Sequence, residues 1–466
     1  MSRLLLAAVT VSLSCFAFVG APRAQRAAVA EDKAQAPDES TLSPKQKANV
    51  AVLDAMLKIV REQFYDRKHG GKNLDDLRAR YLKRVADSEP GTALHAALKE
   101  LIAEFKVSHF TIIEEEAYTT NFGPEMDNTT SLRLGVDLSE LEPGKLFVTS
   151  VLDGSGAQKA GVLRGDRLLE VNGKPALESG TLVDAGGDPG LPGVPHYYIR
   201  IPGDRETMDL KLQRSADDAG PVAVTVTPTQ INAIQASKSS VTVIEYQGRK
   251  FGYIHFWHFL HMGMAEALSR AIRKTWTECD GAIIDLRGRG GSPAVMNACF
   301  APFAEPPAMG MRMGGGGYNM PRWDRPVVAL QDSGSRSAKE VYAHNWKWQK
   351  VGPLVGESTP GAVLGSTFAQ LPDGSYLLFP AQNVRSLTYG QVELEGNPVE
   401  PTHPVKDLLP FAAGADTIKQ AGIKVLYDLV KDKPAYKKPE PEQRPHEEKE
   451  EEFSLAPAGD ERWWQE

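Results

Sequence analysis

The chain has 466 residues, 41% of them apolar and 8% aromatic, with a formal net charge of −7. That length suits about three domains, and the composition is that of a globular protein rather than a membrane bundle. The acidic balance, with no basic stripe along any segment, argues against nucleic acid as a partner.

The first thirty residues read as an export signal. Arg3 is a minimal positive start, and residues 4–19 form an apolar run short of the roughly 20 residues a membrane span needs. Ala28-Val-Ala30 is a small-residue cleavage site, with Ala24 a second candidate. An uncleaved anchor is the other way to read the same run. Cleavage after 1–30 implies a periplasmic or extracellular protein with no stable membrane insertion. It leaves Cys279 and Cys299, which are either a pair or two buried thiols. Zinc spacing is missing around both. Residues 31–43 are a polar, Pro/Ala-rich linker.

Residues 44–118 are predicted to form a helical cap. Val50, Leu53, Met56, Leu57 and Val60 recur at helical spacing, as do Leu77, Tyr81 and Val85, then Leu94, Leu98, Leu101 and Phe105. Gly70-Gly71 and Glu89-Pro90-Gly91 separate the runs. The third run gives way at Ser108-His109 to the extended Phe110–Ile113. Such a junction can present an imidazole to a cleft, although a single histidine is more often structural.

Residues 131–228 form a β-rich module. Segments 132–138 and 146–151 read as strands, followed by Gly156–Gly161 and then Leu163-Arg-Gly-Asp166 running to Gly173. That series resembles a PDZ domain, and the resemblance makes Leu134-Gly135 a carboxylate-binding, substrate-binding loop. The match then departs. Where a PDZ domain places its groove helix, residues 179–195 are rich in Gly and Pro and resist helix formation, so binding in the usual groove stays open.

The core spans 241–430. Residues 250–256 read as a strand and 264–276 as an amphipathic helix. Residues 281–292 are a buried strand running into a glycine-rich turn, where backbone amides can approach a ligand closely. No Gly-Lys-Ser/Thr follows, so phosphate binding is poorly supported. His255, His258 and His261 sit three apart, but His255 belongs to the strand and no carboxylate lies nearby, which argues against a metal. Next, residues 327–330 form a short strand, 332–337 a polar turn, and a helix starts at Ala338 with Val341, Asn345 and Trp348 on one face. A serine at such a junction stands at the rim of a sheet beside helical amides that lack internal partners. Those are the needs of a nucleophile and half an oxyanion hole. Ser335 or Ser337 as a plain helix N-cap is the simpler alternative. Residues 415–430 make a last helix with Ile418, Ile423, Leu426 and Leu429 inward. Residues 431–466 read as a disordered acidic tail.

Taken in order, these segments resemble the C-terminal processing peptidase family (S41), in its tricorn-like branch. The Ser-His end of the cap, the PDZ-like series, Asp285-Leu-Arg-Gly-Arg-Gly-Gly291, Ser335-Arg-Ser-Ala-Lys-Glu340, residues 355–361 and residues 394–401 carry the likeness. The resemblance implies a multidomain α+β protein: helical cap, PDZ-like module and a crotonase/ClpP-like α/β peptidase core. It implies a serine endopeptidase of polypeptides that needs neither cofactor nor metal. By the same resemblance Ser337 is the nucleophile, the Gly290 and Ala338 amides form the oxyanion hole, His109 is the base, and Glu395 orients it with Ser108 in the relay. The branch with a lysine base is excluded at its usual position, because Thr359-Pro-Gly-Ala362 lacks it and no lysine lies between Lys350 and Lys406. Arg289, Ser292, Lys339 and Thr402 depart from the family pattern. The alternative is an inactive, exported, PDZ-type peptide-binding scaffold. The peptidase reading expects a His109 ring nitrogen within about 2.6–3.2 Å of Ser337 Oγ. It also expects Glu395 to approach His109 or Ser108 from the far side. The Gly-rich loop 310–318 predicts a mobile part of the cleft. Oligomeric state leaves no mark on the sequence.

Overall fold

The computed structural model describes residues 39–185, 194–203, 205–217, 220–305 and 320–438. The expected signal at 1–30, most of the linker, the 310–318 loop and the tail beyond 438 lie outside the described residues. Among the described residues no helix is long and apolar enough to cross a membrane.

Helix α1 (Pro44–Gln63) starts with a capping box, in which Ser43 and Gln46 exchange side-chain and backbone bonds. Asn73 caps α2 (Leu74–Asp87), and α3 (Thr92–Ala103) follows. Their periodic apolar residues meet in one core with Phe105, Phe110 and Phe379. After α3 the chain runs through Ser108-His109 into β1 (Thr111–Ile113), then through the short turns α4 (Glu115–Ala117) and α5 (Gly123–Met126).

The β-rich unit holds β2 (Ser131–Arg133), β3 (Val136–Glu142), β4 (Lys145–Val151), α6 (Gly156–Lys159), β5 (Arg167–Val171) and β6 (Lys174–Pro175). It continues with β7 (Leu182–Asp184), β8 (His196–Ile199), β9 (Met208–Gln213), β10 (Val222–Val226) and β11 (Thr229–Ile231). Sheet order is β10-β9-β5-β4-β3-β8-β7, while β11 pairs with β2. The strand expected over 132–138 is broken in two. Gly135 has φ +86°, and a Cβ there would fall 2.2 Å from that of Ser155, so the chain must turn at this point. Where the sequence resists a helix, the β7–β8 pair forms instead. Leu138 pairs with Tyr197 and Ser139 with His196, so the chain itself covers part of the β3 edge.

Helix α7 (Ala233–Ser240) leads into the core strands β12 (Thr242–Tyr246), β13 (Arg249–His255), β14 (Gly281–Asp285), β15 (Val327–Gln331) and β16 (Leu354–Gly356). The hairpin β17 (Gly365–Gln370) and β18 (Tyr376–Gln382) comes before β19 (His403–Pro404). From β13 to β19 the neighbours are parallel, and β12 is an antiparallel edge. Strands β14 and β15 are buried throughout, as a parallel sheet covered on both faces requires. One face packs on α8 (Gly263–Arg270), α9 (Pro293–Phe300) and α10 (Ala338–Trp348) through Trp276, Phe300, Tyr342 and Trp346. The other packs on α11 (Thr417–Val430) through Phe251, Leu330, Ile418 and Leu426. Two facing assignments fail, the first by two residues and the second by one. Trp348 is 54% exposed and Trp346 takes the core position; Leu429 is 39% exposed and Val430 is buried.

Strand β18 also pairs with β1, matching Thr111 to Leu378 and Ile113 to Tyr376. The hairpin therefore ties the first helical unit to a segment between β16 and β19 of the core. His109 lies two residues before that junction.

Candidate active site

The turn between β15 and α10 is built from inside outwards. Ser335 is fully buried and bonds the Leu286 carbonyl at 3.1 Å and Asp332 at 3.0 Å. It is a structural anchor. Ser337 occupies the N-cap position of α10, yet its side chain makes no capping bond, and its backbone sits at φ 60°, ψ −126°. A non-glycine residue there is strained, a cost of order 1–3 kcal/mol that the surrounding bonds must hold. The Ser337 amide donates to Ala362 O at 2.8 Å. Gly290 packs directly on it: a Cβ at Gly290 would lie 2.4 Å from Ser337 Cβ and 2.9 Å from the Ala338 nitrogen. Among the described residues neither the Gly290 nor the Ala338 amide has an acceptor. Two free donors thus flank one serine.

His109 is buried, also at positive φ (55°). Its Nδ1 lies 2.7 Å from Ser108 Oγ, and Ser108 Oγ donates to Glu395 Oε2 at 2.9 Å. The Ser108 amide donates to Glu395 Oε1 at 2.8 Å. Ser108 has one hydroxyl proton, and it goes to the carboxylate, so Nδ1 must be the donor to Oγ. Nε2 is then left with its lone pair, the tautomer a base requires. Burial, and then the nearby Arg336 charge, hold the His109 pKa well below the ordinary imidazole value. No hydrogen bond joins His109 to Ser337 among the described residues, so the contact expected from the sequence is not closed in this state.

Residues 359–363 connect the two halves. Fully buried Glu340 accepts from Thr359 Oγ1 at 2.6 Å and from the Gly361 and Ala362 amides at 2.7 Å each. Glu395 Oε2 accepts from the next amide, Val363, at 2.8 Å. Sequence reasoning passed over Glu340. Its signal was a carboxylate three residues after Ser337, opposite the one segment that had lost its expected lysine.

Leu134 and Gly135 lie elsewhere, on a cavity of about 240 Å³ lined also by Arg133, Tyr198 and Arg200. Arg289 links that wall to the glycine-rich turn after β14: it donates to Tyr198 Oη at 2.7 Å and lies 4.8 Å over the Phe122 ring. The three histidines have separate partners. His255 Nε2 meets Arg287 O, His258 Nε2 meets Glu125, and His261 Nδ1 accepts from the Gly263 amide. Among the described residues no cluster could hold a metal ion. Cys279 and Cys299 are separate buried thiols, both pushed up by burial, Cys279 to about 11.

Residues 250–405 match the model of peptidase family S41, and residues 147–185 that of a PDZ domain. The likeness to peptidase family S41 thus lies in the unit that carries Gly290, Ser337 and Glu395. The chain is similar to the carboxyl-terminal-processing protease of Synechocystis sp., at 24% identity over 333 residues, covering 68% of this chain and 72% of that protein. It is also similar to the tricorn protease of Thermoplasma volcanium, at 23% over 368 residues, 75% of this chain but 33% of that protein. The chain thus spans about a third of that relative's length. A crystal structure of a CPAF mutant aligns with a TM-score of 0.50 at 12% identity, covering 85% of this chain and 100% of that one, which speaks for the fold alone.

Proposed function

We propose that this chain is an exported serine endopeptidase of the S41 kind that hydrolyses polypeptides through an acyl-enzyme on Ser337. The observation that carries the proposal is the meeting of two assemblies on one loop. Ser337 hangs from Ala362, and the Ser108–Glu395 relay of His109 hangs from Val363. In the proposed division, residues 44–118 cap the site, 131–228 are a PDZ-like module and 241–430 carry the nucleophile.

The chemistry follows from those positions. His109 Nε2 takes the proton of Ser337 Oγ as the oxygen attacks the peptide carbonyl carbon. The resulting oxyanion accepts from the Gly290 and Ala338 amides. Ser108 and Glu395 stabilise the imidazolium, which then protonates the leaving amine. Water, deprotonated by the same histidine, releases the acyl group. Lys339, two residues past Ser337, is committed to backbone carbonyls, which supports a histidine rather than a lysine as base. The lack of a His109–Ser337 hydrogen bond among the described residues fits a site completed only when substrate binds.

A fluorophosphonate probe tests this. Labelling of the wild type that is lost in Ser337→Ala and strongly reduced in His109→Ala is the expected result. A wild type that never labels, yet holds peptides with free C-termini, would instead favour the inactive scaffold, whose ligand would sit at the Leu134-Gly135 cavity.

A further inference from the structure

Lys339 stands two residues past Ser337 and is completely buried. Its Nζ donates to the carbonyls of Phe256, of Trp257 at 3.4 Å and of Arg287 at 2.8 Å. An ammonium has three protons, and here each meets a backbone oxygen. Among the described residues no carboxylate bonds to it. The acceptors lie where β13 and β14 end, and the chain beyond them builds the glycine-rich turn. Phe259 N donates to Gly290 O at 2.8 Å, and Ser292 N donates back to Phe259 O at 2.8 Å.

That turn needs holding. Gly288 and Gly291 sit at φ +94° and +145°, and such residues have much backbone freedom to lose. A peptide unit is planar, so fixing the Arg287 carbonyl also fixes the Gly288 amide opposite it, the first peptide of the turn. His255 Nε2 reaches the same carbonyl at 2.9 Å, so two side chains grip one oxygen.

We propose that Lys339 is a positioning residue, whose ammonium clamps the Arg287–Gly290 turn so that the Gly290 amide faces Ser337. This deepens the peptidase reading and rests on it. The charged groups around the ammonium are Asp285 and Arg287 from the end of β14, His255 from β13, and Asp332 from the nucleophile turn. Arg287 is itself paired with Asp285 and Asp416, and Tyr253 Oη donates to Asp285. Asp153 lies 4.0 Å from His255 Nδ1, and Glu340, next on α10, is committed to the 359–362 segment. Burial lowers the Lys339 pKa to about 7; Asp285 and Asp332 oppose the fall and Arg287 adds to it. When the proton leaves, Nζ keeps two donors and turns a lone pair towards a carbonyl, so one arm of the clamp opens. The oxyanion turn is then held tightly below neutrality and loosely above it.

The test is the rate of fluorophosphonate labelling of the full chain from pH 5.5 to 9.5, for wild type and Lys339→Met, with thermal melts alongside. The wild-type rate should fall as pH rises through neutrality. Lys339→Met should label about 100-fold more slowly near pH 6, the scale of a misplaced catalytic donor, and should show no alkaline limb. A merely structural lysine would lower stability without removing that limb. Equal rates and the same limb in both proteins would overturn the proposal. Should Lys339→Met fail to fold, a wild-type rate that stays flat across neutrality would do the same. A wild type that labels at no pH brings down this proposal together with the peptidase reading, whereas labelling with a flat profile brings down this one alone.

Discussion

At the scale of single residues the site is marked by strain. Ser337 and His109 both hold positive φ without being glycine. Replacing Ser337 by Gly removes the Cβ that makes φ 60° costly, so Ser337→Gly should be more stable than Ser337→Ala by about 1 kcal/mol while both are inactive. Denaturant midpoints check this, and an equal or reversed order would show that the turn is relaxed. Glu340 makes a second prediction. Burial raises its pKa to about 6, against the pull of the Thr359 hydroxyl and the Gly361 and Ala362 amides bonded to it. Protonation below about pH 6 neutralises the carboxylate that holds the Gly361 and Ala362 amides, so Ser337 labelling should decline there. His109, held well below its usual value, cannot supply that limb. Glu340→Gln should remove it, and a limb that persists in the variant would point to another group. Little of this strain was legible in advance. The motif order named Ser337 and Gly290, but which of Ser335 and Ser337 turns inward depends on bonds to Leu286 and Asp332 that no local pattern encodes.

At the scale of elements, periodicity located helices better than faces. The three N-terminal helices lie where apolar spacing put them, because each buries a stripe too wide for small shifts to matter. In α10 and α11 the last turn went wrong: Trp348 and Leu429 are apolar enough to be inward, but the neighbouring Trp346 and Val430 reach the sheet. The β17–β18 hairpin was not foreseen as the link to β1, since three-residue strands carry almost no pattern. His95 on α3 shows what that link is worth. Its Nε2 bonds Asp373 in the hairpin at 2.8 Å, and Glu114 lies 3.9 Å from Nδ1. Burial disfavours the charged ring, but the two carboxylates outweigh it and raise the pKa to about 9. A raised histidine stabilises the fold fully below its unfolded value of roughly 6.5, and that stability is lost as pH climbs towards 9. The loss is on the order of 2–3 kcal/mol by linkage. Urea unfolding at pH 6 and pH 9.5 should show it, and His95→Gln should flatten the difference. An unchanged wild-type midpoint would sink the assignment.

At the scale of the whole molecule, two docking contacts hold parts of the chain to the core, and they should have different consequences. The β-rich unit meets the core through the ion pair of Arg164 with Asp407, the Phe147–Phe411 ring contact and the bond from Trp257 to Asp153. The helical unit meets it through β1–β18 and the His95–Asp373 bond. Only the second carries a member of the proposed relay, because Ser108 and His109 precede β1 directly. Asp407→Asn weakens a partly buried pair, which costs up to about 3 kcal/mol when one partner is lost. It should expose the connection near residues 226–233 to protease, yet leave Ser337 labelling within about threefold of wild type. Asp373→Asn removes a charge from the cap link instead. It should leave that connection protected but slow labelling by about tenfold or more, since the base is then held less firmly near its serine. The comparison is informative in either direction. If Asp407→Asn slows labelling as much as Asp373→Asn, the Tyr198–Arg289 bond offers the route by which the β-rich unit reaches Gly290, and the oxyanion turn, not the histidine, is the part that domain docking controls.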